Sequence, residues 1–151
     1  MELSRPVRCL TSGAIGAVVL TTIHEKARRL DPDAPRMDLV AMRALRQMLR
    51  AAGARVPPRP QVHRLALAGD LIANSLYYSA VSAGSPAQTW LRGVVLGAAA
   101  GAGALALPPW LGLGHPPKSD RPRNQVMTVA WYLAGALAAA AAANAMRPRT
   151  T

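Results

Sequence analysis

The sequence predicts an all-α integral membrane bundle: four transmembrane helices and one cytoplasmic amphipathic helix lying in the membrane interface. Three observations lead there. Apolar tracts without charge alternate with charged blocks, so that ten of the 18 Lys and Arg residues fall between Lys26 and Arg64. The net charge of +11 is concentrated in the segments between those tracts, the distribution expected of a multi-pass protein with basic cytoplasmic loops. Over residues 35–52 the apolar positions recur with helical period in a stretch too short to cross a bilayer. At 151 residues the chain has the length of a single domain, 1–151.

The first span is expected over about 8–24. Its charge-free core, Cys9–Ile23, has 15 residues and covers roughly 22 Å of a hydrocarbon layer ~30 Å thick. The helix must therefore extend past Arg8 and His24, whose side chains can reach the headgroups. The following TTIHEK offers no small-x-small cleavage site, so an uncleaved helix is expected rather than a signal peptide.

The amphipathic helix is expected over about 35–52. Met37, Val40, Ala41, Ala44, Leu45, Met48 and Leu49 share one face, and Arg43, Arg46, Gln47 and Arg50 the other. Asp33 is the expected N-cap, with Pro35 in the first turn, Gly53 as the end, and Pro57–Pro60 as a stop. Arg43, Arg46 and Arg50 form a candidate surface for anionic lipid or a protein partner.

The second span, about 65–81, is the informative one: it carries Asp70 inside an apolar helix. At 100° per residue, His63, Leu67, Asp70, Asn74, Tyr77, Tyr78 and Val81 fall within an arc of roughly 100°. Counted from Leu65, Asp70 lies ~7.5 Å and Asn74 ~13.5 Å into the span. An aspartate at the bilayer centre costs about 2.5–3.5 kcal/mol, so Asp70 is expected to face the bundle interior or a wet vestibule. Two roles fit. Asp70 and Asn74 could hydrogen-bond to Thr21, Thr22, Thr128 or Tyr132 on neighbouring helices. Alternatively, Asp70 could titrate in a proton or cation path entered past His63.

The third span is expected over about 91–108. Gly93, Gly97 and Gly101 repeat every four residues with Ala100 and Ala104 beside them, a surface that lets another backbone approach closely. Ser12, Gly13 and Gly16 of the first span are candidate partners within the chain, and a second copy is the alternative. Pro108-Pro109 should end this span, with Trp110 at the interface. The fourth span, about 125–145, follows with Asn124 as its expected cap.

The two loops between spans one and two and spans three and four hold thirteen Lys and Arg residues. They should lie in the cytoplasm, which places both termini outside. The layout, and LPPWLGLG (Leu107–Gly114) in particular, resembles small bacterial inner-membrane proteins. That resemblance implies the bacterial inner membrane and no activity.

Several chemistries find no footing. The single Cys9 cannot form an intramolecular disulfide. His24-Glu25 begins like a zinc-protease helix, but Arg28 stands where the second histidine should be. His24, Glu25, His63 and His115 remain as candidate metal ligands without a known ligand spacing. Ser75, Ser82 and Ser85 lack a nucleophile elbow, and no glycine-rich phosphate cradle is present. The basic loop has no aromatic residue for base stacking, so nucleic acid is not an expected partner.

Three function classes follow. The first is a non-catalytic accessory or scaffold subunit that binds a partner or anionic lipid through the basic loop. The second is an oligomeric proton- or ion-coupled transporter or channel built around Asp70, Asn74 and His63. The third is a lipid-modifying or metal-dependent membrane enzyme using His24, Glu25 and Asp70. Membrane lipids and a protein partner or second copy are the implied partners, and no cofactor is named by the sequence.

Overall fold

Proline opens four of the helices, where its fixed φ suits the first turn and its missing N–H costs nothing. The computed structural model describes residues 4–147. They form α1 (Arg5–Leu30), α2 (Met37–Ala51), α3 (Arg59–Ser79), a 3₁₀ turn (Ala80–Ser82), α4 (Pro86–Trp110) and α5 (Pro122–Ala145), with no strand among the described residues. Arg149, one of the basic residues of the tail, lies outside the described residues.

Local chemistry sets the ends. Ser85 and Gln88 make a reciprocal capping box at the start of α4. Gly53, at φ +67°, ends α2 in the left-handed conformation that other residues avoid. Pro60 then lies in the first turn of α3, so PPRP opens the next helix as well as closing the approach to it.

Three expected boundaries differ. Asp33 does not cap α2; Arg36 holds that position, and the Asp33 carboxylate instead pairs with Lys118 at 3.4 Å and Arg121 at 3.5 Å. Two cations delivered by the α4–α5 loop compete successfully for it. Asn124 does not cap α5; Arg121 does, and Asn124 is buried in the first turn. Its Nδ2 donates to the carbonyls of Asp33 and Lys118, both at 2.8 Å, binding two loops together. Pro108 and Pro109 do not end α4, which runs on to Trp110. Their fixed φ is helical, and what they remove is the N–H owed to the carbonyls of Ala104 and Leu105. The end is closed by Leu111 N–H on Leu107 O and Leu113 N–H on Pro108 O.

α1 is central, packed against α3 on one side and α5 on the other; α4 packs against α5, and α2 against α3. The start of α1 and the end of α5 lie at one end of the bundle. There Ser12 Oγ donates to Ser82 Oγ at 3.1 Å, and Arg147 reaches Gly84 O and Thr89 Oγ1 at 2.6 and 2.8 Å. The opposite end carries α2 and the α4–α5 loop, joined where Arg36 N–H meets Pro117 O at 3.3 Å.

Small residues make the close contacts. A methyl group on Gly97 would lie 2.8 Å from Leu133 Cα, and one on Gly101 2.6 Å from Val129 Cα. The Gly93–Gly97–Gly101 face is thus filled by α5, the helix that follows it in the chain, and not by Ser12, Gly13 and Gly16. Gly13 instead meets the backbone of Ser75 and Ser79, and Gly16 that of Gly135. Around these seams Leu20, Tyr78, Val81, Ala136, Ala139 and Ala140 form the main core.

Three helices are long and apolar enough to cross a membrane: α1, α4 and α5, with mean hydropathies of 1.4, 1.5 and 1.7 over their best windows. The chain is thus a helical bundle with three helices able to span a membrane. α3 falls short of that measure because Arg59, His63, Arg64 and Asp70 interrupt it. Its outward residues Leu65, Ile72 and Leu76 are nonetheless exposed and apolar, as are Ile15 and Val18 of α1 and Val94 and Val95 of α4.

Candidate functional site

Near the loop end, the five helices stand apart around a cavity of about 170 Å³. Helical spacing delivers its walls. Thr21, His24 and Glu25 are one face of the last turns of α1, while His63, Ala66, Leu67 and Asp70 follow at i, i+3, i+4 and i+7 on α3. α2 contributes Asp38 together with apolar Met37, Val40, Ala41 and Ala44. Ala104 and Pro108 of α4 and Tyr132 of α5 close it. α2 is held over this space because Met42 packs with Val62 and Ala66 of α3, and Leu39, Ala41 and Leu45 pack around them.

Three of the chain's seven carboxylates line this one cavity. Two are answered locally. Glu25 accepts from Arg28 Nε at 2.8 Å, with Arg29 3.8 Å away. Asp38 accepts a two-pronged pair from Arg36 at 2.8 and 2.7 Å. Burial alone would raise the Asp38 carboxyl, but the Arg36 bonds, with Arg28 and His63 close by, outweigh it and hold the group below its ordinary value. Asp70 is different: among the described residues no Lys, Arg or His forms an ion pair with it.

The cavity also contains polar atoms without partners. Thr21 Oγ1 and His24 Nε2 are buried with no hydrogen-bond partner. The His24 ring stands edge-on to Trp131 at 5.2 Å and Tyr132 at 5.6 Å, which fixes its plane. Pro108 deprives the Ala104 carbonyl of its helical donor at the same wall.

The polar stripe of α3 divides. His63 and Asp70 face the cavity. Asn74 is buried and donates to the Asp70 backbone carbonyl at 2.9 Å. Tyr77 and Tyr78 serve as ties, their hydroxyls donating to Leu96 O at 3.0 Å and Tyr132 O at 2.9 Å. The expected bonds from Asp70 and Asn74 to Thr21, Thr22, Thr128 or Tyr132 are not made. Thr128 Oγ1 is occupied with Asn124 O at 2.9 Å, Thr21 is unpartnered, and Thr22 points outward.

The four candidate metal ligands are not brought together. His24, Glu25 and His63 line the cavity, whereas His115 borders a separate depression with Arg43 and Lys118. The α4–α5 loop carries it there. Among the described residues no group of three or more His, Cys, Asp or Glu is placed to hold a metal ion.

The basic face of α2 is partly engaged within the chain. Arg43 donates to Leu113 O at 3.0 Å and His115 O at 3.1 Å, and Gln47 to Leu111 O at 3.4 Å. Arg46 and Arg50 flank the groove left beside Gly112 and Leu113.

Asp38 and Trp131 are not among the candidate residues that the sequence singles out. The available signal for Asp38 was its register: it falls at i−3 and i−7 from Ala41 and Leu45, on the apolar face of α2, where a carboxylate needs a reason. No known protein family, curated protein or solved structure matches the chain.

Proposed function

We propose that this chain is a four-span membrane protein that binds a cation in the cavity and works, as an oligomer, as a small ion-coupled carrier with Asp70 as its charge-bearing group. One observation carries the reading: in a chain of net charge +11, three of seven carboxylates converge on a single cavity, and the one deepest in the bundle has no cationic partner among the described residues. A protein that only supports another has no need to place an unpaired carboxylate there, where each such group costs a few kcal/mol.

The fourth crossing is α3. It packs along α1 from Gly13, opposite Ser75 and Ser79, to Glu25, which shares the cavity with His63. A helix of 21 residues is about 31 Å long, so it crosses the layer that α1 crosses. Its charged residues sit at the loop end or face the cavity. The end bearing α2 and the α4–α5 loop holds thirteen Lys and Arg residues, so it is read as cytoplasmic, with both termini outside. A bacterial inner membrane fits this distribution.

The test is flux. Reconstituted in liposomes under a pH or cation gradient, the protein should carry a cation-dependent proton signal that Asp70→Asn abolishes while the variant elutes and melts like the parent. Equal flux from parent and variant would remove the carrier reading.

The accessory-subunit reading keeps one specific support. Met48, 67% exposed, and the exposed Arg50 lie on a part of α2 that no described residue covers. Native mass spectrometry of protein extracted from its own membrane would reveal a second polypeptide if that surface docks one.

A further inference from the structure

We infer that the cavity is a site for a small primary ammonium compound of about five or six non-hydrogen atoms. This inference rests on reading the cavity as a cation site and names the kind of cation. A metal ion is a poor match, because among the described residues no three metal-ligating side chains are grouped. A bare ion would also leave most of about 170 Å³ empty. An apolar cavity of about 150 Å³ holds a molecule the size of benzene, so the space suits a short organic chain. Beside its polar groups, Met37, Val40 and Ala44 of α2 and Ala66 and Leu67 of α3 give the cavity an apolar patch that suits an alkyl body.

The charged head is specified by what lacks a partner. A primary ammonium has three N–H donors and no acceptor. The cavity is lined by Asp70, which no cation among the described residues pairs with, and by Thr21 and His24, whose Oγ1 and Nε2 atoms are buried with nothing to bond. In the tautomer protonated at Nδ1, His24 Nε2 is an acceptor, so Asp70, Thr21 and His24 together offer at least as many acceptors as a primary ammonium has donors. A quaternary ammonium offers charge without donors and would leave both buried atoms unsatisfied. A neutral alcohol offers a donor without charge and would leave Asp70 uncompensated.

The shared chemistry has two sources, a free amine or the ethanolamine headgroup of a phospholipid. The experiment separates them. The full chain is placed in nanodiscs of phosphatidylcholine and phosphatidylglycerol, and its thermal midpoint and calorimetric binding are followed with n-butylamine, tetramethylammonium and n-butanol at matched ionic strength. The expected result is a saturable stabilisation by n-butylamine alone, weakened at least tenfold in Asp70→Asn and several-fold in Thr21→Val. The Thr21→Val variant serves if Asp70→Asn fails to fold. In nanodiscs containing phosphatidylethanolamine, a headgroup occupant would raise the midpoint beforehand and blunt the response to butylamine; an unaltered response assigns the site to a free amine. Equal effects of butylamine and tetramethylammonium, or unweakened binding in both variants, would overturn the inference. Absence of butylamine binding alongside Asp70-dependent flux would sink it while leaving the carrier reading intact. Binding without flux would do the reverse.

Discussion

Between α4 and α5, Gly97 and Gly101 bring two backbones so near that a methyl group would stand 2.8 and 2.6 Å from the Cα atoms of Leu133 and Val129. Beneath α2, the same bundle opens about 170 Å³ and leaves Thr21 Oγ1 and His24 Nε2 buried without partners. In lipid, helices gain little from hiding apolar surface from one another, so close packing and satisfied polar groups must hold them. The seam meets the first requirement and the cavity neither. The seam therefore accounts for stability, and the cavity is where stability has been given up for something else.

The contrast breaks most sharply at the glycines. Gly101→Leu should separate α4 from α5 and destabilise by about 3 kcal/mol or more, read as loss of folded protein in a sodium dodecyl sulfate titration. Gly69, by contrast, has open space around an added methyl. Gly69→Ala should be neutral or stabilising by up to about 1 kcal/mol. If both variants behave alike, the seam is not what holds the bundle.

A smaller effect is expected at Tyr78→Phe, which keeps the buried ring and loses only the bond to Tyr132 O. The loss should be about 1 kcal/mol in the same titration. Asp70→Asn should show no such loss, since it removes an uncompensated charge. A matching loss there would mean that Asp70 is part of the structural network after all.

Acid sharpens the comparison at the cavity's lid. The Asp38 carboxyl is held below its ordinary value in the folded protein, so it stabilises α2 at any pH above that ordinary value, near about 4. The contribution disappears as pH falls through the lowered value. Hydrogen exchange over residues 37–51, corrected for intrinsic rates, should be steady near neutrality and accelerate at the acid end. Asp38→Asn should remove that acid step. The mildest change is Arg43→Gln, which loses two surface bonds to the α4–α5 loop. Exchange at residues 111–115 should quicken a few-fold, with the bundle unaffected.

How far the sequence reveals this architecture differs between the same two regions. Helices are legible because apolar period and glycine act locally, as where Gly53 ends α2; Pro6, Pro60, Pro86 and Pro122 open helices that begin before the expected spans. The stripe of α3 placed His63 and Asp70 on one face, and both line the cavity. What could not be read is which helix meets which. Spacing alone cannot distinguish α1 from α5 as the partner of Gly97, nor foresee that Asp33 and Asn124 leave their local caps for contacts ninety residues away. Such choices depend on competition between distant groups. For Asp33, two cations of another loop outweigh one backbone amide.

Asp70 stands apart from Glu25 and Asp38 although all three share a cavity. Dicyclohexylcarbodiimide, which enters membranes and modifies carboxyl groups in apolar surroundings, tests this directly when the labelled residues are located by peptide mass spectrometry. Asp70 should be modified first, and n-butylamine should slow that reaction, while Glu25 and Asp38 stay protected by Arg28 and Arg36. Equal labelling of the three, or labelling of Asp70 that no cation slows, would contradict the account.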